Sequence, residues 1–255
     1  MKKYGKTILA LAALMLAGFA HAQEYKIAKS SGRLELNVGR VTVEGHDGNE
    51  IIFSAENRKQ AKDERAHGLR AINSLGLEDN TGLGIHVADK GNVVEVHQLK
   101  KTRAPNIKVL VPKGIIVSFN HESQYGGKAR FVNLTNEIEV SAHYNSVELQ
   151  NVTGPLTVET TYGHVIADFT APIKDPVSIV SIYGYVDVTL PQTTKANLKL
   201  GTSYGDIFVA PEFNIDVAAT DGMKVYSDKI SGTINGGGIN IDLNCNYGKI
   251  YLRKK

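Results

Sequence analysis

The segment "TSYGDIFVAP" (residues 202–211) has three near-copies in the same chain: "TTYGHVIADF" (160–169), "SIYGYVDVTL" (181–190) and "CNYGKIYLRK" (245–254). With the Tyr as position zero, repeats centre on Tyr125, Tyr144, Tyr162, Tyr183, Tyr204 and Tyr247. Asp221-Gly222 is a degenerate member, and the successive steps are 19, 18, 21, 21, 17 and 26 residues. A period near 20 residues is that of a solenoid coil.

The columns of the repeat give its local structure. Positions −6 and −4 are apolar: Ile138/Val140, Leu156/Val158, Val177/Ile179, Leu198/Leu200, Ile215/Val217 and Ile241/Leu243. Position −2 is small: Ser123, Ala142, Thr160, Ser181, Thr202, Ala219 and Cys245. Positions +3 and +5 are apolar again, as in Val147/Leu149, Val165/Ala167, Val186/Val188, Ile207/Val209 and Ile250/Leu252. Alternation with a period of two on both sides of the pair predicts two half-buried strands per repeat. Even positions face inward before the pair and odd positions after it, so the pair must absorb one residue at a corner. Gly suits a corner through its tolerance of φ > 0, and Asn145 in the "HYNS" repeat is a usual substitute in that region. One coil cannot bury its apolar faces alone, so the coils must stack. The expected fold is all-β: a single-stranded parallel β-helix (β-solenoid) over residues 115–255, with coils about 4.8 Å apart. A coil length that varies from 17 to 26 residues suits a right-handed helix better than the strict hexapeptide left-handed type.

Residues 1–22, "MKKYGKTILALAALMLAGFAHA", have a basic start, a short apolar core and the Ala20-His21-Ala22 cleavage pattern of a signal peptide. The apolar run is shorter than the roughly 20 residues that span a bilayer. Export is therefore expected, with no transmembrane segment left after cleavage. The leader holds three of the 29 Lys+Arg and none of the 26 Asp+Glu, so the remainder balances at 26 against 26. Nothing in that balance favours nucleic acid. With Cys245 as the sole cysteine, an internal disulfide is excluded.

Residues 23–114 read as a β-rich N-terminal segment. Asp47-Gly48 predicts a hairpin turn, a second hairpin is expected around residues 89–92, and Pro112 and Gly114 mark a turn into the regular coils. Residues 56–75 are the helical candidate, with Ala61, Leu69, Ile72 and the stem of Arg65 on one face. Hairpin and helix together would cap the open solenoid end, which otherwise exposes core and strand edge.

No catalytic constellation emerges. Asp206, Asp187 and Asp168 share an outward parity but sit in different columns, whereas glycoside cleavage needs two carboxylates at a defined separation. His46, His67, His86, His97, His121, His143 and His164 show no metal-ligand spacing, and no cofactor is implied. Cys245 lies in the small inward column and reads as a buried, inert thiol. "NGGG" (235–238) and "TGLG" (81–84) lack the Lys-Ser/Thr of a phosphate loop and read as turns, and the sequons at Asn133 and Asn151 read as accidental. The candidate binding residues are the repeated tyrosines, above all Tyr162, Tyr183 and Tyr204, which could meet sugar rings. Their regularity favours a structural ladder, because a pocket usually needs irregularity.

"TYGHVIAD", "IYGYVDVTLP", "SYGDIFVAP", "GLRAINSLGLEDNTGLGIHV" and "INGGGINIDLNCNYGKIYLRKK" resemble the adhesin-like β-helix (β-solenoid) family of bacterial exported proteins, a domain of unknown function, in its Bacteroidetes type. The resemblance spans most of the chain after the leader. It implies a periplasmic or envelope-associated, non-enzymatic solenoid that binds an envelope glycan or a protein through its elongated face. Two alternatives stay open: a polysaccharide lyase or hydrolase on the same scaffold, and a purely structural envelope protein.

Overall fold

The computed structural model describes residues 24–55, 64–67, 69, 73–217 and 228–255. The leader lies outside them. The described strands form a 10-stranded and an 11-stranded sheet, and each coil contributes one strand to each sheet. The inward columns are those of the repeat. Ile138, Leu156, Val177, Ile241 and Leu198 lie side by side in one sheet through parallel pairing. In the other, Val147, Val165, Val186, Ile250 and Ile207 do the same. The core between the sheets is continuous from Leu34 to Leu252. Each fully buried Val, Leu or Ile there contributes roughly 1.5–3 kcal/mol.

The small inward residue at −2 does more than save space. Ser181 accepts a hydrogen bond from the Gly184 N–H of its own coil at 3.1 Å and donates to the Gly163 carbonyl of the adjoining coil at 2.9 Å. Thr160 repeats this between Gly163 and the Asn145 carbonyl, and Thr202 between Gly205 and the Gly248 carbonyl. Cys245 donates its thiol to the Gly184 carbonyl at 3.3 Å. The backbone joins in: the N–H groups of Tyr162, Tyr183, Tyr247 and Tyr204 donate to the carbonyls of His143, Thr161, Ile182 and Asn246 in the neighbouring coils.

This contact overturns the expected reason for glycine. Gly163, Gly184, Gly205 and Gly248 are absent from the residues with positive φ, and so is Asn145. A Cβ on Gly184 would instead collide with the Gly163 carbonyl oxygen, one on Gly248 with that of Gly184, and one on Gly205 with that of Gly248. Close backbone approach makes the column glycine. Left-handed asparagines sit at the opposite corner, where Asn133 and Asn151 have φ of 54° and 53° and Asn151 Nδ2 donates to Asn133 Oδ1 at 2.8 Å. Both sequon asparagines thus have a conformational role.

The coils do not follow one another in simple order. Ile239–Cys245 inserts between Val177–Ser181 and Ala196–Thr202, parallel to both. Ile179 and Leu200 share a column, as expected, but Leu243 lies between them. The chain reaches this slot through the "NGGG" segment, where Asn235, Gly236 and Gly237 take φ of 52°, 82° and 80°. Gly238 packs so close to the Lys195 carbonyl that a Cβ would clash. The turn therefore lets the chain step over one strand. At the other end Ser31–Asn37 inserts between Val93–Gln98 and Gly114–His121, and Val41–His46 between Ile107–Pro112 and Lys128–Val132.

The expected single parallel β-helix starting at residue 115 thus becomes a pair of mixed sheets that already includes residue 31. Antiparallel strands close its ends. Glu24–Ile27 and Ile51–Ala55 cover one sheet, and Ile85–Asp89 the other. Asp228–Ile234 runs antiparallel to Ala196–Thr202 at the far end, with Asp216–Val217 beside it. The described strands around the degenerate repeat thus pair antiparallel, and Asp221-Gly222 itself lies outside the described residues. The hairpin at Asp47-Gly48 does not form, because Ile107–Pro112 lies between its two strands. The hairpin around residues 89–92 does form. Of the capping helix over 56–75, residues 56–63, 68 and 70–72 lie outside the described residues. The rest holds a 3-10 turn at Glu64–Ala66, and Leu69, expected on the buried face, is 74% exposed. Among the described residues, strands cover the end.

Gly184→Ala should cost about 3 kcal/mol in urea unfolding, at the upper end of overpacking costs. Gly184→Asn should cost at least as much. Tolerance of Asn with loss only on Ala would mean that the site requires left-handed backbone and not close approach.

Candidate functional site

Every Tyr of the repeat leaves the corner outward. Tyr144, Tyr162, Tyr183, Tyr247 and Tyr204 stack in that order, with centroid separations of 4.8, 5.1, 4.9 and 4.9 Å and interplanar angles of 17°, 9°, 11° and 9°. Each stacked pair is worth about 0.5–1.5 kcal/mol beyond area burial. Three candidate residues, Tyr162, Tyr183 and Tyr204, are thus brought into one column, though not as equals. Tyr162 and Tyr183 have both ring faces covered by neighbours and present edges and hydroxyls. Tyr204 ends the stack and is 74% exposed, against 55% and 52% for the other two.

A second aromatic column, which the repeat pattern left unnoticed, runs beside the first on the outer face of the adjacent strands. His164 stacks on Tyr185 at 4.6 Å, Tyr185 meets Tyr251 edge-on, and Tyr251 stacks on Phe208 at 5.5 Å. Lys249 lies over Phe208 and Arg253 over Tyr251. The outward +2 and +4 positions carry these residues. Their mixed composition hid the column, because the rings align only after the C-terminal coil is inserted between its neighbours.

The acidic residues do not converge. Arg253 grips Asp187 with two nitrogens at 2.7 and 3.0 Å, Lys255 pairs with Asp168 at 3.0 Å, and Lys249 with Asp206 at 3.4 Å. Among the described residues no cluster of three or more His, Cys, Asp or Glu could hold a metal ion. Burial pushes the Cys245 thiol up, against hydrogen bonds that partly oppose it, so its thiolate is disfavoured.

Where the tyrosine stack stops, the corner opens. It spans Ala142 to Val147 in one coil but His121 to Ala129 in the next. His121, and not Ser123 as the repeat suggests, fills the small inward column there. Its Nδ1 and Asn145 Oδ1 are 2.7 Å apart, while Asn145 Nδ2 donates to the Gly39 carbonyl at 2.8 Å. The Asn oxygen is therefore the acceptor, Nδ1 carries the imidazole proton, and Nε2 keeps a lone pair. A cleft of about 470 Å³ adjoins these residues, bounded by Asn37, Asn73, Leu75, Leu99, Lys101 and Glu122 as well as His121. Its size lies within the usual range for small-ligand sites.

Residues 128–253 match the family described as Toastrack DUF4097. No curated protein matches the chain. Among solved structures, a candidate cell adhesion protein from Clostridium sporogenes ATCC 15579 aligns at 13% identity and a TM-score of 0.47, covering 92% of this chain and 100% of that one. A candidate adhesin from Bacteroides fragilis NCTC 9343 aligns at 10% identity and a TM-score of 0.27, covering 91% and 96%. Among the described residues, no helix is long and apolar enough to cross a membrane.

Burial holds His121 and His164 below the ordinary value of 6.5, although Asn145 opposes the shift at His121 and Glu148 at His164. The fold thus favours the neutral rings. Their contribution is complete above pH 6.5 and is lost as pH falls through the lower folded values. The urea midpoint should decline between pH 7 and 5, before Glu139, held below 4.5 by its Arg33 hydrogen bonds, takes up protons. His164→Gln should flatten the decline. A midpoint constant over this interval would contradict the assignment.

Proposed function

We propose that the protein is an exported, non-enzymatic module of the cell envelope that binds a glycan chain along its tyrosine corner. The observation that carries this is the stack of five exposed tyrosines, whose hydroxyls form a row at the coil spacing. Stacking fixes the rings before any ligand arrives, so little side-chain entropy is lost on binding. A polymer rich in hydroxyls can exchange hydrogen bonds with such a row, and the open face of Tyr204 offers a platform for one sugar ring. The neighbouring aromatic column, including the 47%-exposed Phe208, widens the surface. Exposed aromatic surface of this extent marks an interaction site more often than an inert face. The outward acids support binding over cleavage, since Asp168, Asp187 and Asp206 each have a cationic partner. An adhesin-like role in the envelope fits this surface and the N-terminal leader pattern.

Glycan-array binding by the chain from residue 23 tests the proposal. Tyr204→Ala should weaken retention at least tenfold. Tyr183→Phe keeps the stack but removes a hydroxyl, so it should weaken retention while the thermal midpoint stays within about 1 °C, as for surface changes of small free energy. Release of reducing or unsaturated sugar ends by the wild type, lost in Asp187→Asn, would replace this function with polysaccharide cleavage.

A further inference from the structure

At the C-terminal end, the antiparallel cover reaches one sheet only. Ala196–Thr202 is followed outward by Asp228–Ile234 and Asp216–Val217. Ile207–Val209, the other strand of the same coil, ends the 10-stranded sheet with a single strand partner among the described residues. Burial shows the deficit. Val186, Val188, Ile250 and Leu252 are fully buried, but Ile207 and Val209 in the same inward columns are only partly buried. Ile230, which the overhanging strand turns inward beside Leu200, is partly buried as well.

The main chain of this edge is available too. The Ile250 N–H donates to the Asp206 carbonyl at 3.0 Å, and the Ala210 N–H to the Leu252 carbonyl at 2.8 Å. Alternation along the strand therefore turns the N–H and carbonyl groups of Ile207 and Val209 away from Ile250–Lys254. Edge strands commonly carry charges that discourage further pairing. Glu24–Ile27, at the opposite edge of the same sheet, carries the Lys26–Glu24 ion pair. Ile207-Phe208-Val209 has no charged side chain. Its outward residue, Phe208, ends the second aromatic column and is exposed.

We propose that this edge receives an extended segment of a second, different protein, added in parallel as one further strand. Two aliphatic side chains of that segment pack beside Ile207 and Val209, and a ring between them continues the column from Phe208. The main-chain groups select a peptide over a sugar chain, because an extended peptide offers donors and acceptors at the spacing of Ile207 and Val209. A second copy of this chain does not supply the segment from its regular coils. Val186–Leu190 and Ile250–Lys254 have the required alternation, but each already lies between two strands. The strand-accepting edge goes beyond the glycan proposal and does not depend on it.

The test uses the chain from residue 23 and the synthetic peptide "YGKIYLRK" (residues 247–254), whose Ile250, Tyr251 and Leu252 have the required alternation. With the peptide's Tyr251 opposite Phe208 in parallel register, its N–H donates to the Ile207 carbonyl and its carbonyl accepts from the Val209 N–H. Binding should slow amide exchange at Ile207 and Val209 about tenfold or more. N-methylation at the peptide's Tyr251 should abolish binding, whereas N-methylation at its Leu252, whose N–H points away, should leave affinity within about twofold. Val209→Pro removes a donor from the open edge and keeps the bonds to Ile250–Lys254, so it should abolish peptide binding in a folded protein. The methylated peptides leave the protein unchanged and decide the matter even where that variant does not fold. Slow exchange at Ile207 and Val209 without peptide would show that the edge is already covered and would overturn the proposal. Equal binding of the two methylated peptides would overturn it in favour of side-chain recognition alone. Self-association that the peptide competes away would overturn it in favour of a second copy. Absence of binding at about 1 mM peptide would overturn it outright.

Discussion

At the tyrosine corner, the backbones of adjoining coils approach so closely that a carbonyl oxygen occupies the place of a Cβ. Much of the architecture follows from that approach. It requires Gly163, Gly184, Gly248 and Gly205 in successive coils, and it brings each coil's carbonyl within reach of the hydroxyl or thiol at −2. It also sets the tyrosines at the strand spacing, close to the separation at which parallel rings stack. Glycine, hydroxyl and ring are thus three consequences of one contact. Asn145, which has a Cβ, occurs where the next corner widens, and its amide spans the gap to Gly39 and His121.

The inward columns and the two strands per repeat were legible in the sequence because alternation records burial directly. Ile138, Leu156 and Val177 pair in the register that their spacing from the Tyr predicts. The stacking order was less legible. A period shows that coils are equivalent, not which coils are neighbours, and any two members of the repeat could pair. Insertion of Ile239–Cys245 beside Val177–Ser181 depends on the turn over Lys195, whose glycines look like an ordinary loop in sequence. The role of glycine was misread for a similar reason, since residue type alone does not distinguish φ > 0 from close approach. The open cleft was missed because Ser123 fits the small column in sequence. The longer corner moves His121 into that place, which only the strand register shows.

Interleaving matters to both ends of the solenoid. The coils containing Ser31–Asn37 and Ile239–Cys245 each lie one place inward from an outer coil, so their strands have partners on both sides. Antiparallel strands then cover outer positions that would otherwise expose a long parallel edge. The same arrangement completes the aromatic surface, since Tyr247 joins Tyr183 to Tyr204 and Tyr251 joins Tyr185 to Phe208. At the C-terminal end, closure of the fold and continuity of the aromatic columns therefore depend on the same inserted coil.

Disulfide trapping tests that insertion most directly. In a Cys245→Ser background, Ser178→Cys with Asp242→Cys places two outward thiols on directly paired residues, about 4.8 Å apart along the stack and within disulfide reach. Ser178→Cys with Lys199→Cys places them two coils apart, at about 9.6 Å. The account predicts rapid intramolecular oxidation of the first pair and none of the second. Oxidation of the second pair with a reduced first pair would show that the coils stack in chain order and would contradict the interleaved solenoid.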